Sequence, residues 1–178
     1  MGLPSQYRWI ADEGAPKIIV EFLKWVDTKE VPGSGNNPLI MQWAKELGIA
    51  WYTADSIPWC GLGVGKWAKD AGYPFDKNKL LAAKSWLGWG TPVAKGQEMF
   101  GDVLVFDRDG GGHVGLYIGE DKAAFHVGGA NQSDKVGFTR ILKSRLVGAR
   151  RSPFAIGQPA NVRKVYLTDS GELSQNEA

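Results

Sequence analysis

The hydrophobic period of the chain changes once, between residues 90 and 103, and that change limits the possible folds more than any other feature. Upstream, apolar residues recur at helical spacing. "GAPKIIVEFLKWVDT" carries Ile18, Ile19, Phe22, Leu23 and Val26 on one stripe. After the loop "VPGSGNN", the segment "NPLIMQWAKELGI" reads as a capped helix, with Asn37 at N-cap, Pro38 at N1 and Gly48 just past the end. "SIPWCGLGVGKWAKDAGY" predicts a third helix, with Pro58 near N1 and Gly72 as its stop, and "KLLAAKSWLGWG" a short fourth. Past the linker "TPVAKGQEMFGD", the pattern becomes short, β-branched or alternating runs: "DVLVF", "HVGLYIG", "AAFHVGG", "KVGFTRIL" and "LVGARRS". Tight connections such as "DRDGGG" and "GED" suit antiparallel neighbours. Helices first and antiparallel strands afterwards predict an α+β domain, with N-terminal helices packed on a small antiparallel β-sheet. No internal repeat is present.

At 178 residues the chain is long enough for one domain with a substantial core. The expected division is an N-terminal helical extension (1–30), a core (31–155) and a C-terminal tail (156–178), of which "NVRKVYLTDSGELSQNEA" reads as loosely held. A single cysteine excludes an internal disulfide, so the fold does not depend on an oxidising compartment. "MGLPSQYRWIADEGAPK" lacks the basic and apolar regions of a secretion signal, and no apolar run reaches the length of a membrane span. Charge is uneven. Residues 1–134 carry net −3, whereas 135–168 hold eight basic residues and no acid. Such a block suits an anionic partner, either nucleic acid or an envelope polymer, or is simply a solvated face.

Cys60 falls in the first turn of its predicted helix, where free N–H groups and the helix dipole favour a thiolate. It shares a stripe with Val64, Trp67, Ala68 and Ala71, which points the thiol inward, as a core cysteine would also point. Gly61, Gly63 and Gly65 each cost about 1 kcal/mol in a helix relative to alanine, so a close approach of another backbone or of a substrate is expected there. Lys66 is followed by Trp67, which rules out a phosphate loop. His113 begins a strand and alternates onto a face with Gly115 and Gly119, an open setting that suits a general base. A cysteine–histidine pair needs a polar residue to orient the imidazole, and Asn131, Gln132 and His126 are the candidates. One cysteine and two histidines do not make a structural zinc site, and "DRDGGG" lacks the later carboxylates of a calcium loop.

Together, "PWCGLGVGKWAKDAGY", "AAKSWLGWG", "FGDVLVFDRDGGGHVGLYIGED" and "GGANQSDKV" resemble the papain-like cysteine hydrolases of the bacterial cell wall, the NlpC-like and CHAP group. The similarity is greatest to a subfamily common in phages and prophages, and it runs from about residue 30 to 152. It implies a papain-like (NlpC/CHAP-type) fold and hydrolysis of an amide bond in peptidoglycan stem peptides. In this light Cys60 is the nucleophile and His113 the general base. Asn131 is the expected orienting residue, with His126 as the alternative. Trp59, Trp86, Trp89, Tyr117 and Gln132 are expected to line the substrate groove, although tryptophans at such spacings also serve as core. The resemblance implies no metal and no cofactor. Relatives carry small, then bulkier apolar residues where this chain has Gly61, Gly63 and Gly65, a departure that bears on pocket shape.

The expected function is therefore a peptidoglycan hydrolase, an endolysin or virion-associated lysin, with endopeptidase favoured over N-acetylmuramoyl-L-alanine amidase. It would be made in the bacterial host cytoplasm and act at the wall after release or delivery. Residues 135–164 would hold anionic envelope polymers. A non-catalytic wall-binding module on the same fold is the alternative. Nucleic-acid binding ranks last, because the basic strands lack the aromatic signature of an RNA-binding sheet.

Overall fold

The structure is a computed structural model and describes residues 3–177. A 3-10 turn at Ser5–Tyr7 leads into α1 (Trp9–Glu13) and α2 (Lys17–Leu23). α3 (Pro38–Glu46) starts as its sequence dictates: the Asn37 side chain accepts from the Leu39 N–H at 2.8 Å, and Pro38 occupies N1. α4 (Cys60–Asp70) begins two residues after Pro58, with Trp59 at its N-cap, and Gly72 ends it at φ 79°. The fourth predicted helix is a 3-10 segment, Ala83–Gly88.

The strands follow: β1 (Thr91–Val93), β2 (Val103–Arg108), β3 (Gly111–Glu120), β4 (Ala124–Gly129), β5 (Gly137–Leu142) and β6 (Leu146–Arg151). They form one six-stranded antiparallel sheet in the order β1-β6-β2-β3-β4-β5. The domain is therefore α+β, as the change of period predicts. β1 lies inside the segment read as a linker. "TPV" is too short to show alternation, and pairing with β6 makes it a strand.

α4 packs between the sheet and the other helices, and every residue from Cys60 to Ala68 is buried. Its exposed residues, Lys69 and Asp70, lie in the last turn. Its glycines answer the question their cost raises. A Cβ on Gly61 would stand 2.1 Å from the Leu80 carbonyl oxygen, and one on Gly63 would stand 2.4 Å from the Ala130 Cβ. The close approach is by the chain's own backbone and side chains at 80 and 130, not by a substrate.

The flanking segments belong to the same body. Tyr7, Ile10, Ile18, Ile19 and Phe22 lie in the one hydrophobic cluster with Trp67, Leu116 and Val127. The tail is not loosely held. Residues 165–167 pair with the end of β3 through Glu120 N–H to Val165 O and Leu167 N–H to Glu120 O, both 2.8 Å. Further on, Ser174 N–H donates to Arg140 O at 2.9 Å, and Ser133 N–H donates to Glu177 O at 2.9 Å. Among the described residues, no helix is long and apolar enough to cross a membrane.

The basic block is not a free cationic face. Arg140 pairs with Asp121, Lys143 and Lys164 with Glu120, Arg145 with Glu177, Arg151 with Asp102, and Arg163 with Glu13. Arg150 donates to the carbonyls of Trp89 and Gly90. Six of the eight basic residues are thus paired with acids from distant parts of the sequence, which a count along the chain cannot show.

Candidate active site

Cys60 opens α4, and its sulfur is surrounded by the N–H groups of Val114, Gly61 and Cys60 itself. Val114, whose N–H acts on the sulfur, follows His113 on β3, so the first turn of α4 packs against the start of the strand that carries the histidine. Both groups are closed off: Cys60 is 3% exposed and His113 0%. The open space expected beside His113 is filled. Val127 occupies the position a Cβ on Gly115 would take, and Leu167 the one beside Gly119.

Gln132 orients the imidazole. Its Oε1 lies 3.1 Å from His113 Nε2, and its Nε2 donates to Gly137 O at 2.8 Å and to Val127 O at 3.3 Å. The two carbonyls can only accept, so they fix which end of the amide is nitrogen. The oxygen must then face His113, and His113 Nε2 must carry the proton. Nδ1 is left with its lone pair, and it has no hydrogen-bond partner among the described residues. The amide thus fixes the Nε2–H tautomer and leaves Nδ1 able to accept a proton.

Asn131 does not take the orienting role. Neither nitrogen of His113 bonds to it. It adopts φ 53°, a left-handed conformation that asparagine tolerates, and begins the turn that presents Gln132. Gly129 completes the arrangement, because a Cβ there would lie 2.5 Å from Gln132 Oε1. His126 belongs to a separate buried network. Its Nδ1 meets Tyr7 Oη at 2.9 Å and its Nε2 meets Asp121 Oδ2 at 3.0 Å, while Arg140 donates to the same carboxylate at 2.9 Å. In the β3–β4 ladder His126 pairs with Gly119, six residues along the strand from His113.

The aromatic residues expected in the groove are core. Trp59 is buried and donates to Glu30 Oε1 at 2.5 Å; Trp86 donates to Leu80 O at 2.8 Å, and Trp89 to Pro74 O at 2.7 Å. Tyr117 is fully buried and donates to Val165 O at 3.2 Å. Of these, Trp86 and Trp89 do border a surface cavity, together with Asp76, Lys79 and Leu80.

The sequence reading missed Arg108, Arg145 and Glu177. The fields of Arg108 and Arg145 both reach His113, and Arg108 also acts on Cys60. Arg145 holds the Glu177 carboxylate through two 2.8 Å bonds, and that carboxylate opposes the effect of the cations on His113. No local motif signals this contact, which joins positions 32 residues apart.

Burial dominates the ionisation of the pair. It pushes the Cys60 thiol above its ordinary value, although the surrounding N–H groups and Arg108 pull the other way. It pushes His113 down to about 4, against the raising effects of Glu177 and Gln132. At neutral pH the proton therefore rests on sulfur and the imidazole is neutral. The expectation of a lowered thiol pKa at the helix start is overturned by desolvation, which outweighs the helix terminus once the site is closed.

No family model and no curated protein matches the chain.

Proposed function

We propose that the protein is a papain-like cysteine hydrolase that cleaves an amide bond of the peptidoglycan stem peptide. The reaction class is supported by one observation above all: Cys60 opens a buried helix packed on the strand that carries His113, a histidine whose tautomer is set by the Gln132 amide. The substrate class is supported by the ordered motifs around Cys60, His113 and Gln132 that resemble wall hydrolases of phages and prophages. An endolysin or virion-associated lysin acting as an endopeptidase remains the favoured form.

Each residue then has a chemical task. His113 Nδ1 takes the Cys60 proton as sulfur attacks the amide carbonyl carbon. N–H groups in the first turn of α4 stabilise the oxyanion. The Nδ1 proton passes to the leaving amine as the C–N bond breaks, which leaves a thioester. His113 then deprotonates water, which attacks the thioester carbonyl; the carboxylic product leaves and the thiol is restored. Gln132 accepts from Nε2–H throughout and supports the imidazolium.

The test is incubation of wild-type and Cys60→Ser protein with peptidoglycan, followed by mass spectrometry of the soluble fragments. Fragments from the wild type alone are expected, and their masses identify the bond. Sedimentation of both proteins with the wall, without fragments, would instead establish a binding module.

A further inference from the structure

Residues 171–177 run beside the sheet and end at the candidate active site. Arg140 donates to Gly171 O at 2.6 Å, Arg140 and Leu173 form a bridge, and Ser133 N–H donates to Glu177 O at 2.9 Å next to Gln132. The Glu177 side chain is 0% exposed, an unusual position for a glutamate so close to the end of a surface strap. Arg145 is what makes that burial tolerable. Its Nε is tied to Asp107 O at 3.0 Å, so the guanidinium is held from β2 and presents a fixed fork. Nη1 and Nη2 each meet one Glu177 carboxylate oxygen at 2.8 Å. A bidentate, anchored guanidinium is a carboxylate receptor. Arg108 adds a second cation nearby: its Nε is buried and has no acceptor among the described residues. A depression of about 640 Å³ opens beside the strap; Lys84, Arg108 and Arg145 line it together with Asp107 and Asp109, and Lys84 is paired with Asp107 at 2.6 Å.

We propose that Arg145 is the receptor for a carboxylate of the substrate peptide, and that Glu177 occupies it in the resting protein as an intramolecular competitor. The inference rests on the hydrolase reading for its substrate and adds the class: an acidic peptide, with a free carboxylate within reach of the scissile amide. Residues 171–177 bind through a carboxylate and backbone hydrogen bonds, as an extended peptide would. A substrate carboxylate displaces Glu177 from Arg145 as the peptide binds.

Alkylation of Cys60 tests this without any wall substrate. Iodoacetate carries a carboxylate and iodoacetamide does not. In wild type both should react slowly. In Glu177→Gln both should speed up, and iodoacetate should gain roughly tenfold more than iodoacetamide, the scale of a charge-assisted hydrogen-bonded pair. Adding Arg145→Gln to Glu177→Gln should abolish that preference. Glu177→Asp, which shortens the side chain by one methylene, should fall between wild type and Glu177→Gln and serves if Glu177→Gln does not fold, with circular dichroism as the check. Unchanged rates in the Glu177 variants, or an iodoacetate preference that survives loss of Arg145, would overturn the proposal. Wall fragments from the wild type with indifferent alkylation would sink the receptor alone; an Arg145-dependent preference without wall fragments would sink the peptidoglycan reading alone.

Discussion

Replacing Gln132 with leucine tests the link between fold and chemistry most directly. Leucine keeps similar bulk and removes three hydrogen bonds: to His113 Nε2 at 3.1 Å, to Gly137 O at 2.8 Å and to Val127 O at 3.3 Å. Gln132 is 3% exposed, so water does not replace these partners at low cost. Typical buried hydrogen bonds contribute about 1 kcal/mol each, and a buried donor left unsatisfied costs about 1–3 kcal/mol. The 3.3 Å contact is weak, and Val127 and Gly137 belong to the β4–β5 ladder, so the expected loss is about 2–4 kcal/mol in urea unfolding. The more discriminating readout is the tautomer. Nitrogen-15 shifts of the imidazole at neutral pH should show Nε2–H in wild type and a mixture, or Nδ1–H, in Gln132→Leu. A wild-type imidazole protonated on Nδ1 would refute the reasoning, because the amide would then be turned the other way and Nδ1 could not take the Cys60 proton.

Two further outcomes follow from the burial of the pair and the packing of α4. His113 is held neutral, down to about 4, while the unfolded chain binds a proton near its ordinary value of 6.5. Its contribution is therefore complete above pH 6.5 and is lost as pH falls toward 4, by at most about 3 kcal/mol. Asp121 and Glu177 add to the acid loss in any variant, since, against the pull of burial, backbone N–H groups and Arg145 respectively hold their carboxyls below the ordinary range. Subtracting the urea stability of His113→Gln from that of wild type across pH 7.5 to 4 isolates the histidine, and a difference that does not change with pH would contradict its neutral burial. Gly61→Ala gains up to about 1 kcal/mol of helix propensity but pushes a Cβ to 2.1 Å from the Leu80 oxygen, which demands backbone movement. A net loss of about 1–3 kcal/mol is expected by thermal or urea unfolding, and an equal or higher midpoint would show that α4 does not need this approach.

What the sequence revealed, and what it hid, divides along the range of the interactions. Asn37-Pro38, Gly72 and the alternation of residues 113–119 act within a few residues of themselves, and the elements form where these signals place them. Cys60 and His113 are chemically rare in this chain, which holds one cysteine and two histidines, so they stand out. The orienting residue was ambiguous because Asn131 and Gln132 are neighbours with the same chemistry. Only the turn decides: Asn131 supplies the left-handed backbone and Gln132 supplies the amide. The partners of the basic block were illegible for a related reason. Arg151 finds Asp102 and Arg163 finds Glu13, and these pairings exist only after the sheet has assembled. Tryptophan positions mislead in the opposite sense, since Trp59, Trp86 and Trp89 turn their N–H groups to internal acceptors.

The ionisation of the pair explains why a strap over this site matters. With burial holding the proton on the Cys60 sulfur and keeping His113 neutral down to about 4, moving the proton from sulfur to Nδ1 in the closed state is uphill before the new ions attract each other. The resting pair is therefore chemically quiet. The Glu177 carboxylate favours the imidazolium by its field, and Arg145 holds it in place. If the strap left and nothing replaced it, hydration would ease the cost while the loss of that field would add to it, with Arg108 and Arg145 left to oppose the positive charge on His113. A substrate carboxylate on Arg145 resolves the conflict: it restores the negative field and neutralises the guanidinium at the moment the scissile amide arrives. Recognition of an acidic peptide and ionisation of the Cys60–His113 pair would then be one event, which makes selectivity for acidic peptides a consequence of the electrostatics and not only of shape.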